Sequence, residues 1–166
     1  MSAQEKFFEL VKEPVLEACR EYEFKIASLP ISQSAIESGW NKSSLGYKYN
    51  NLLGRKWASN NVITKKYITL KTQEWNGSAY ETVYSRFCIY ENRKDCFKDY
   101  MWLLHTVRLA NGRLRYQRVL DSKDYLEATE NIRLCGYATS ITYTQTLRKV
   151  IEDYKLNQYD VLIKKE

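Results

Sequence analysis

The chain has 166 residues, of which 44% are hydrophobic and 28% are charged, the ordinary balance of one globular domain. Its formal net charge is +6, from 26 Lys and Arg against 20 Asp and Glu, which predicts an anionic partner such as nucleic acid or a bacterial wall. We expect no membrane insertion, no nucleic-acid partner and no signal peptide in this chain, because long apolar runs, Lys and Arg blocks and a signal-like start are missing.

The cysteines and the single histidine do not have the spacing of a metal site. The spacings of Cys19, Cys88, Cys96 and Cys135 match no zinc pattern, and His105 is the only histidine of the sequence. Disulfides are the alternative for an even number of cysteines in a secreted protein. We expect free thiols, no metal and no cofactor.

The first two predicted elements are helices over residues 5–12 and 14–24. The second has an apolar stripe that is typical of a helix packed on a core, formed by Val15, Leu16, Ala18, Cys19 and Tyr22. We expect both helices to pack around the helix that follows them.

That following helix is predicted to begin near Pro30 and to stop at Gly39, with apolar residues at helical spacing between them. Glu37 lies in its last turn, where the negative partial charge of the helix end favours the protonated acid. An apolar neighbour such as Trp40 would raise the pKa of the same carboxyl by desolvation. A carboxylic acid that stays protonated can act as a general acid, although a surface Glu near a helix end shows the same pattern.

Three more side chains could lie beside a substrate near this helix. Gln33 is one turn before Glu37 on the same face, so its amide could hold a carboxyl or a sugar hydroxyl, or be merely exposed. Residues 41–65 are predicted to be loop and short turns. If this segment forms a wall of a cleft, it brings Asn51 and Trp57 near the substrate, while packing is the alternative for Trp57.

Residues 66–90 are predicted to form a β-hairpin around a two-residue turn at Asn76 and Gly77, because they alternate in polarity and are rich in β-branched and aromatic residues. This register puts Glu74 and Glu81 on one face, diagonal to each other near the tip. Both carboxylates could point into a cleft, or both could be solvated at the tip.

The rest of the chain is predicted to be helical after Asn92, a typical N-cap residue. The predicted helices cover residues 93–105 and 114–120, then run from a cap at Asp121 or Ser122 to 134, and from a cap at Thr142 to about 154. Tyr137 lies just past a helix end, in the kind of loop where functional residues concentrate, or it forms an aromatic lid on the core.

Five stretches in order carry a resemblance to a known family. They are Gln33-Ser34-Ala35-Ile36-Glu37-Ser38-Gly39-Trp40, Asn50-Asn51-Leu52-Leu53-Gly54, Thr72-Gln73-Glu74, Phe87 and Tyr90 with Phe97-Lys98-Asp99-Tyr100, and Gly136-Tyr137-Ala138-Thr139 with Tyr154, Leu156 and Tyr159-Asp160. Together they resemble glycoside hydrolase family 73, the bacterial and phage cell-wall glucosaminidases. Three positions depart from the family pattern, namely Arg55, Cys88 and Ser140-Ile141.

The resemblance implies one α+β domain over residues 1–166, lysozyme-like and mostly helical, with one β-hairpin lobe lining the cleft. It implies hydrolysis of the β-1,4 bond between N-acetylglucosamine and N-acetylmuramic acid, with the glycan strands of bacterial peptidoglycan as partner and the cell wall as the place of action. Glu37 would protonate the leaving oxygen, Glu74 would activate water or stabilise the transition state, and Tyr137 would hold the sugar. The expected substrate-binding residues of this monomer are Gln33, Trp40, Asn51 and Trp57.

Other functions fit parts of the same pattern. A lytic transglycosylase or a muramidase shares the fold, and a wall-binding module or a basic nucleic-acid binder belongs to another class. The presence of both Glu37 and Glu74 argues against a module without catalysis. The scattered basic residues argue against the nucleic-acid binder.

Overall fold

The computed structural model describes residues 1–163, so the last three residues of the expected domain lie outside the described part. The elements of this part are α1 (Ala3–Glu21), α2 (Ser28–Glu37), α3 (Ser44–Tyr49), β1 (Tyr67–Trp75), β2 (Tyr80–Cys88), α4 (Arg93–Thr106), α5 (Gln117–Leu120), α6 (Tyr125–Leu134), α7 (Tyr143–Asp153), a 3-10 turn (Leu156–Tyr159) and α8 (Asp160–Ile163). The expectation of a mostly helical α+β domain with one hairpin is confirmed. None of the helices in residues 1–163 is both long and apolar enough to cross a membrane.

Helix α1 is one helix and not the expected two, because it continues through Pro14. It begins with a capping box in which Ser2 and Glu5 each accept a hydrogen bond from the other's backbone N–H. Proline removes one helical hydrogen bond. Val11 and Val15 on either side of it are fully buried, so packing against the core holds the helix together across Pro14.

Helix α2 is the central element, since every residue from Ser28 to Ala35 is buried. Helices α1, α6 and α7 and the 3-10 turn all pack against it. Its N-cap, Ala27, has no side chain that could accept a hydrogen bond. The Asp160 carboxylate supplies this function, accepting from the Ser28 backbone N–H at 2.8 Å and from the Ser28 hydroxyl at 2.9 Å.

The hairpin has a longer turn than expected. Only Gly77 in the turn adopts a positive φ, of 103°, whereas a two-residue type I′ turn requires Asn76 to do so as well. The Asn76 side-chain oxygen accepts instead from two backbone N–H groups of a four-residue connection, at 3.0 and 2.9 Å. The register therefore shifts by two residues, and Glu74 lies directly opposite Glu81 rather than diagonal to it. A shift of two keeps each side chain on its expected face.

The later helices mostly begin where the sequence indicated. Asn92 caps α4 by accepting from the Asp95 backbone N–H at 2.8 Å, as expected. Helix α6 is capped by Asp124 and not by Asp121 or Ser122, because Asp121 already ends α5. The loop expected over residues 41–65 also contains the short helix α3. The four cysteines are free thiols, and three of them are buried.

We expect Asp160→Ala to lower the free energy of unfolding by about 1–3 kcal/mol, because it leaves two buried donors of Ser28 without an acceptor. Urea denaturation followed by circular dichroism measures this loss. Asp153→Ala is the matched control, since Asp153 forms an exposed ion pair with Lys149 that is worth at most about 1 kcal/mol. Equal losses in the two variants would contradict the capping role.

Candidate active site

A cavity of about 390 Å³ opens where the end of α2 faces α4 and the segments 53–56, 115–116 and 136–137. This volume lies within the usual range of ligand pockets, about 300–1,000 Å³. The chemistry of its wall is uneven, with one acid, Glu37, three cations, Arg55, Lys56 and Arg115, and the aromatic rings of Tyr100, Tyr116 and Tyr137. The cavity therefore combines a single carboxyl group with polar aromatic surface and excess positive charge.

Glu37 is the last residue of α2, as the sequence predicted, and its side chain opens to the cavity. Burial of its carboxyl by the cavity wall raises its pKa above the ordinary value for Glu. A hydrogen bond from the Tyr143 hydroxyl, 3.3 Å from Glu37 Oε1, acts in the opposite direction. The carboxyl thus has the environment of an acid that keeps its proton, with one donor ready to stabilise the anion.

A buried hydrogen-bond chain positions this carboxyl. The Gln33 amide nitrogen donates to the Tyr143 hydroxyl at 2.9 Å, and the Gln33 amide oxygen accepts from the Tyr100 hydroxyl. Gln33 is fully buried, with both amide groups used inside the protein. This corrects the expectation that Gln33 contacts a sugar, because it acts on Glu37 through Tyr143.

Tyr137 lines the cavity from the loop after α6. Its ring lies edge-on to Tyr100 and Tyr116, with centroids 6.1 and 6.3 Å away. Burial, with a contribution from the nearby Tyr143, raises the pKa of the Tyr137 phenol well above its usual value. Within residues 1–163 its hydroxyl makes no hydrogen bond, so the protonated phenol can donate to a ligand.

Glu74 reaches the cavity indirectly. It lies on the half-buried face of β1 and forms an ion pair with Lys56, which lines the cavity. Glu81 stands directly opposite and is exposed. Two carboxylates facing each other across a ribbon repel, so the pairing with Lys56 offsets this cost for Glu74 alone. The hairpin contributes no lining residue of its own and borders the cavity through Lys56.

Asn51 fixes the segment that carries Lys56. Its amide nitrogen donates to the backbone carbonyls of Arg55 and Cys88, both at 3.0 Å, and its amide oxygen accepts from the Arg55 N–H at 2.9 Å. Asn51 is 1% exposed, with all of these groups engaged by backbone. The expectation that it contacts the substrate is therefore corrected, and it shapes the cavity wall instead.

Arg55 is anchored by a buried carboxylate that the sequence did not single out. Its guanidinium lies 3.5 Å from Asp99 on α4, which is fully buried. Asp99 also accepts hydrogen bonds from Asn61, at 2.9 Å, and from the Tyr90 hydroxyl. The available signal for this cluster was that Asp99 lies within the stretch Phe97-Lys98-Asp99-Tyr100, one of those that carry the family resemblance.

Trp40 packs away from the cavity. Its ring makes edge-on contacts with Phe7, Phe8 and Tyr154, at centroid distances of 5.7, 5.5 and 5.7 Å. It does not line the cavity. The aromatic cluster holds the chain as it leaves α2.

Trp57 lies at the base of the hairpin. Its backbone N–H donates to the carbonyl of Arg86 at 2.9 Å, and its indole N–H donates to Thr64 at 3.1 Å. Its ring lies against Tyr67, with centroids 4.6 Å apart. These contacts join the hairpin to the loop before it, outside the cavity lining.

Comparisons with known sequences point in one direction. The sequence model of the family Glucosaminidase, described as mannosyl-glycoprotein endo-beta-N-acetylglucosaminidase, matches residues 12–156. The exo-glucosaminidase LytG of Bacillus subtilis is 29% identical over 135 residues, which are 81% of this chain and 46% of that protein. A probable N-acetylmuramidase of Lactococcus lactis subsp. cremoris is 30% identical over 137 residues, 80% of this chain and 30% of that protein. The chain spans less than half the length of these two relatives.

A solved structure with the same fold is the catalytic domain of the autolysin Auto from Listeria monocytogenes. The two have a TM-score of 0.84 and 28% sequence identity, and the match covers 96% of this chain and 88% of that chain. The expected lysozyme-like arrangement is thereby confirmed.

We expect Tyr143→Phe to raise the pKa of Glu37 further, because it removes the hydrogen bond that favours the carboxylate. The titration of ¹³C-labelled Glu carboxyls by NMR measures this change, with Glu37→Gln assigning the signal. The control Tyr125→Phe removes a similar hydrogen bond, 2.7 Å from Tyr125 to Glu152 on the surface, and should leave Glu37 unchanged. A lower Glu37 pKa in Tyr143→Phe would refute the assignment.

Proposed function

The chain belongs to the glucosaminidase family, and on that basis we propose that it hydrolyses the β-1,4 bond between N-acetylglucosamine and N-acetylmuramic acid in bacterial peptidoglycan. N-acetylglucosamine would stand at the new reducing end. The observation that carries the proposal is Glu37, a carboxyl of raised pKa at the edge of a cavity. The partner is the glycan strand, the place of action is the bacterial cell wall, and neither nucleic acid nor a second copy of the chain takes part.

In the first step Glu37 donates its proton to the glycosidic oxygen as the bond to the leaving sugar breaks. The Tyr143 hydroxyl already points at Glu37 Oε1, so it stabilises the carboxylate that forms. Gln33 keeps this phenol in place from the interior. The chain of hydrogen bonds therefore supports both the orientation of the acid and its charge after proton transfer.

In the second step Glu74 would activate water or stabilise positive charge on the sugar. Its pairing with Lys56 supports this role, since that residue holds the carboxylate beside the cavity. Tyr137 would donate its hydrogen bond to the sugar or its acetamido group. Glu37 and Tyr137 would act from the cavity wall, and Glu74 from beside it through Lys56.

Muramidase activity is the second candidate, because a relative at 30% identity is named a probable N-acetylmuramidase. The two activities differ only in which bond of the alternating glycan is cut. Digestion of purified peptidoglycan, reduction of the fragments with borohydride and mass spectrometry distinguish them. Reduced N-acetylglucosamine ends support the proposal. Reduced muramic acid would establish the muramidase, and anhydromuramic ends would establish a transglycosylase.

We expect Glu37→Gln to lower the rate of wall hydrolysis at least about a hundredfold, the low end for a general acid. The variant should unfold at neutral pH at a temperature no lower than the wild type. Because burial raises the Glu37 pKa, its ionisation disfavours the fold as pH rises through that pKa, and Gln avoids this cost. Clearing of a wall suspension and calorimetry measure the two effects. Exposed Glu13→Gln is the control, and near wild-type clearing by Glu37→Gln would refute the role.

We expect Glu74→Gln to reduce activity at least about a hundredfold, the low end of general acid–base effects, and Glu81→Gln by less than about twofold. The two residues face each other on the hairpin, but only Glu74 is held by Lys56. The same pair of substitutions therefore controls for charge and for hairpin stability. A greater loss in Glu81→Gln would reverse the assignment.

A further inference from the structure

The cations of the cavity wall differ in their partners. Arg55 lies against Asp99, and Lys56 pairs with Glu74. Arg115 has no carboxylate partner within residues 1–163. Glu37 is the only acid among the residues that line the cavity, and its carboxyl accepts a hydrogen bond from Tyr143 and forms no ion pair with Arg115, so the charge of Arg115 has no paired counterpart in the cavity.

Arg115 is held in one orientation by groups that do not neutralise it. Its Nε donates to the Cys135 carbonyl and its NH2 to the Gly136 carbonyl, both at 2.9 Å. The guanidinium also lies 5.5 Å from the centre of the Tyr116 ring. An arginine has about five N–H donors, so the remaining ones are left for another acceptor.

Gly136 makes this position possible. A Cβ at residue 136 would lie 2.5 Å from the Arg115 NH2 nitrogen, and the residue has a φ of +93°. A side chain there would displace the guanidinium from the backbone. The glycine before Tyr137 therefore fixes a cation beside the proposed sugar site.

We propose that Arg115 is the receptor for a carboxylate carried on the lactyl arm of an N-acetylmuramic acid next to the N-acetylglucosamine whose glycosidic oxygen Glu37 protonates; this rests on the proposed function. In peptidoglycan, muramic acids flank each N-acetylglucosamine, and their lactyl arm ends either in its own carboxylate or in an acidic stem peptide. A fixed guanidinium matches a carboxylate through two parallel hydrogen bonds. Such a contact supplies the counter-charge that the wall lacks and selects muramic acid over neutral sugars.

A purely structural role explains only part of the geometry. The bonds to Cys135 and Gly136 would hold the loop before Tyr137, and this alone would make Arg115 a positioning residue. It does not explain why the cation lines the cavity or why the carboxylates of residues 1–163 leave it unpaired. The two roles predict different substrate dependence, because a displaced Tyr137 harms all substrates alike.

The test compares three soluble, uncrosslinked glycan strands. One keeps its stem peptides, a second has been stripped by an amidase to free lactyl carboxylates, and the third is the stripped strand with those carboxylates converted to methylamides. The enzymes are the wild type, Arg115→Gln, Arg115→Lys and the exposed, charge-matched control Arg113→Gln. The measured quantity is kcat/KM on each strand.

We expect the wild type and Arg113→Gln to prefer a carboxylate-bearing strand over the methylamide strand about tenfold or more. Arg115→Gln should lose this preference, because its kcat/KM falls further on the charged strands than on the methylamide strand, while Arg115→Lys keeps part of the preference. Of the two charged strands, the one on which Arg115→Gln loses more kcat/KM shows whether the carboxylate belongs to the stem peptide or to the free lactyl group.

Two outcomes overturn the receptor role. Equal losses on all three strands would show that Arg115 only positions the loop, and an unchanged preference in Arg115→Gln would show that another group recognises the charge. The reduced ends of the wild-type fragments test the proposed function separately. A muramidase result there would leave the ratio between the strands measurable and interpretable.

Discussion

The amide of Gln33 is the interaction on which the rest of the site depends. It lies inside α2 and links the Tyr100 hydroxyl of α4 to the Tyr143 hydroxyl of α7. A buried amide is tolerated only when its donor and acceptor are both satisfied. The positions of both tyrosine hydroxyls are therefore fixed by Gln33. This fixes α4 and α7, which carry the tyrosines, relative to α2. Glu37 lies one turn after Gln33, and the hydrogen bond from the Tyr143 hydroxyl orients its carboxyl.

The wall opposite Glu37 is set by a second buried polar cluster. Asp99 is fully buried, and its Oδ2 receives Arg55, Asn61 and Tyr90, which offset the cost of the buried charge, while its Oδ1 has no hydrogen-bond partner within residues 1–163. Arg55 stands where the resembling family has an apolar residue. The ion pair between Arg55 and Asp99 thus fixes this part of the cavity wall. Lys56 is the next residue along the chain and reaches the hairpin by pairing with Glu74.

Local patterns in the sequence were enough to predict the helix that ends at Glu37, because Pro30 lies in its first turn and Gly39 follows its end. They also predicted the faces of the hairpin, since alternation fixes faces, but not its register, which the Asn76 side chain decides. Tyr143 was missed as a site residue because it is 106 residues from Glu37 in sequence, and no local pattern indicates such a contact. The helix face of Gln33 was predicted correctly. Its partner was not, because Tyr143 is 110 residues away from it in sequence.

The Asp160 carboxylate, which caps α2, constrains the order in which the parts of the fold can form. Asp160 lies 132 residues after Ser28, and the phenol that orients Glu37 is also in the last quarter of the chain. A ribosome releases the N-terminal residues first, and domains generally fold as units. Until residues 143–160 have emerged, the acid-bearing helix therefore has an uncapped first turn, and Gln33 lacks its second partner, Tyr143. Maturation of the cleft is therefore coupled to the emergence of residues 143–160 from the ribosome.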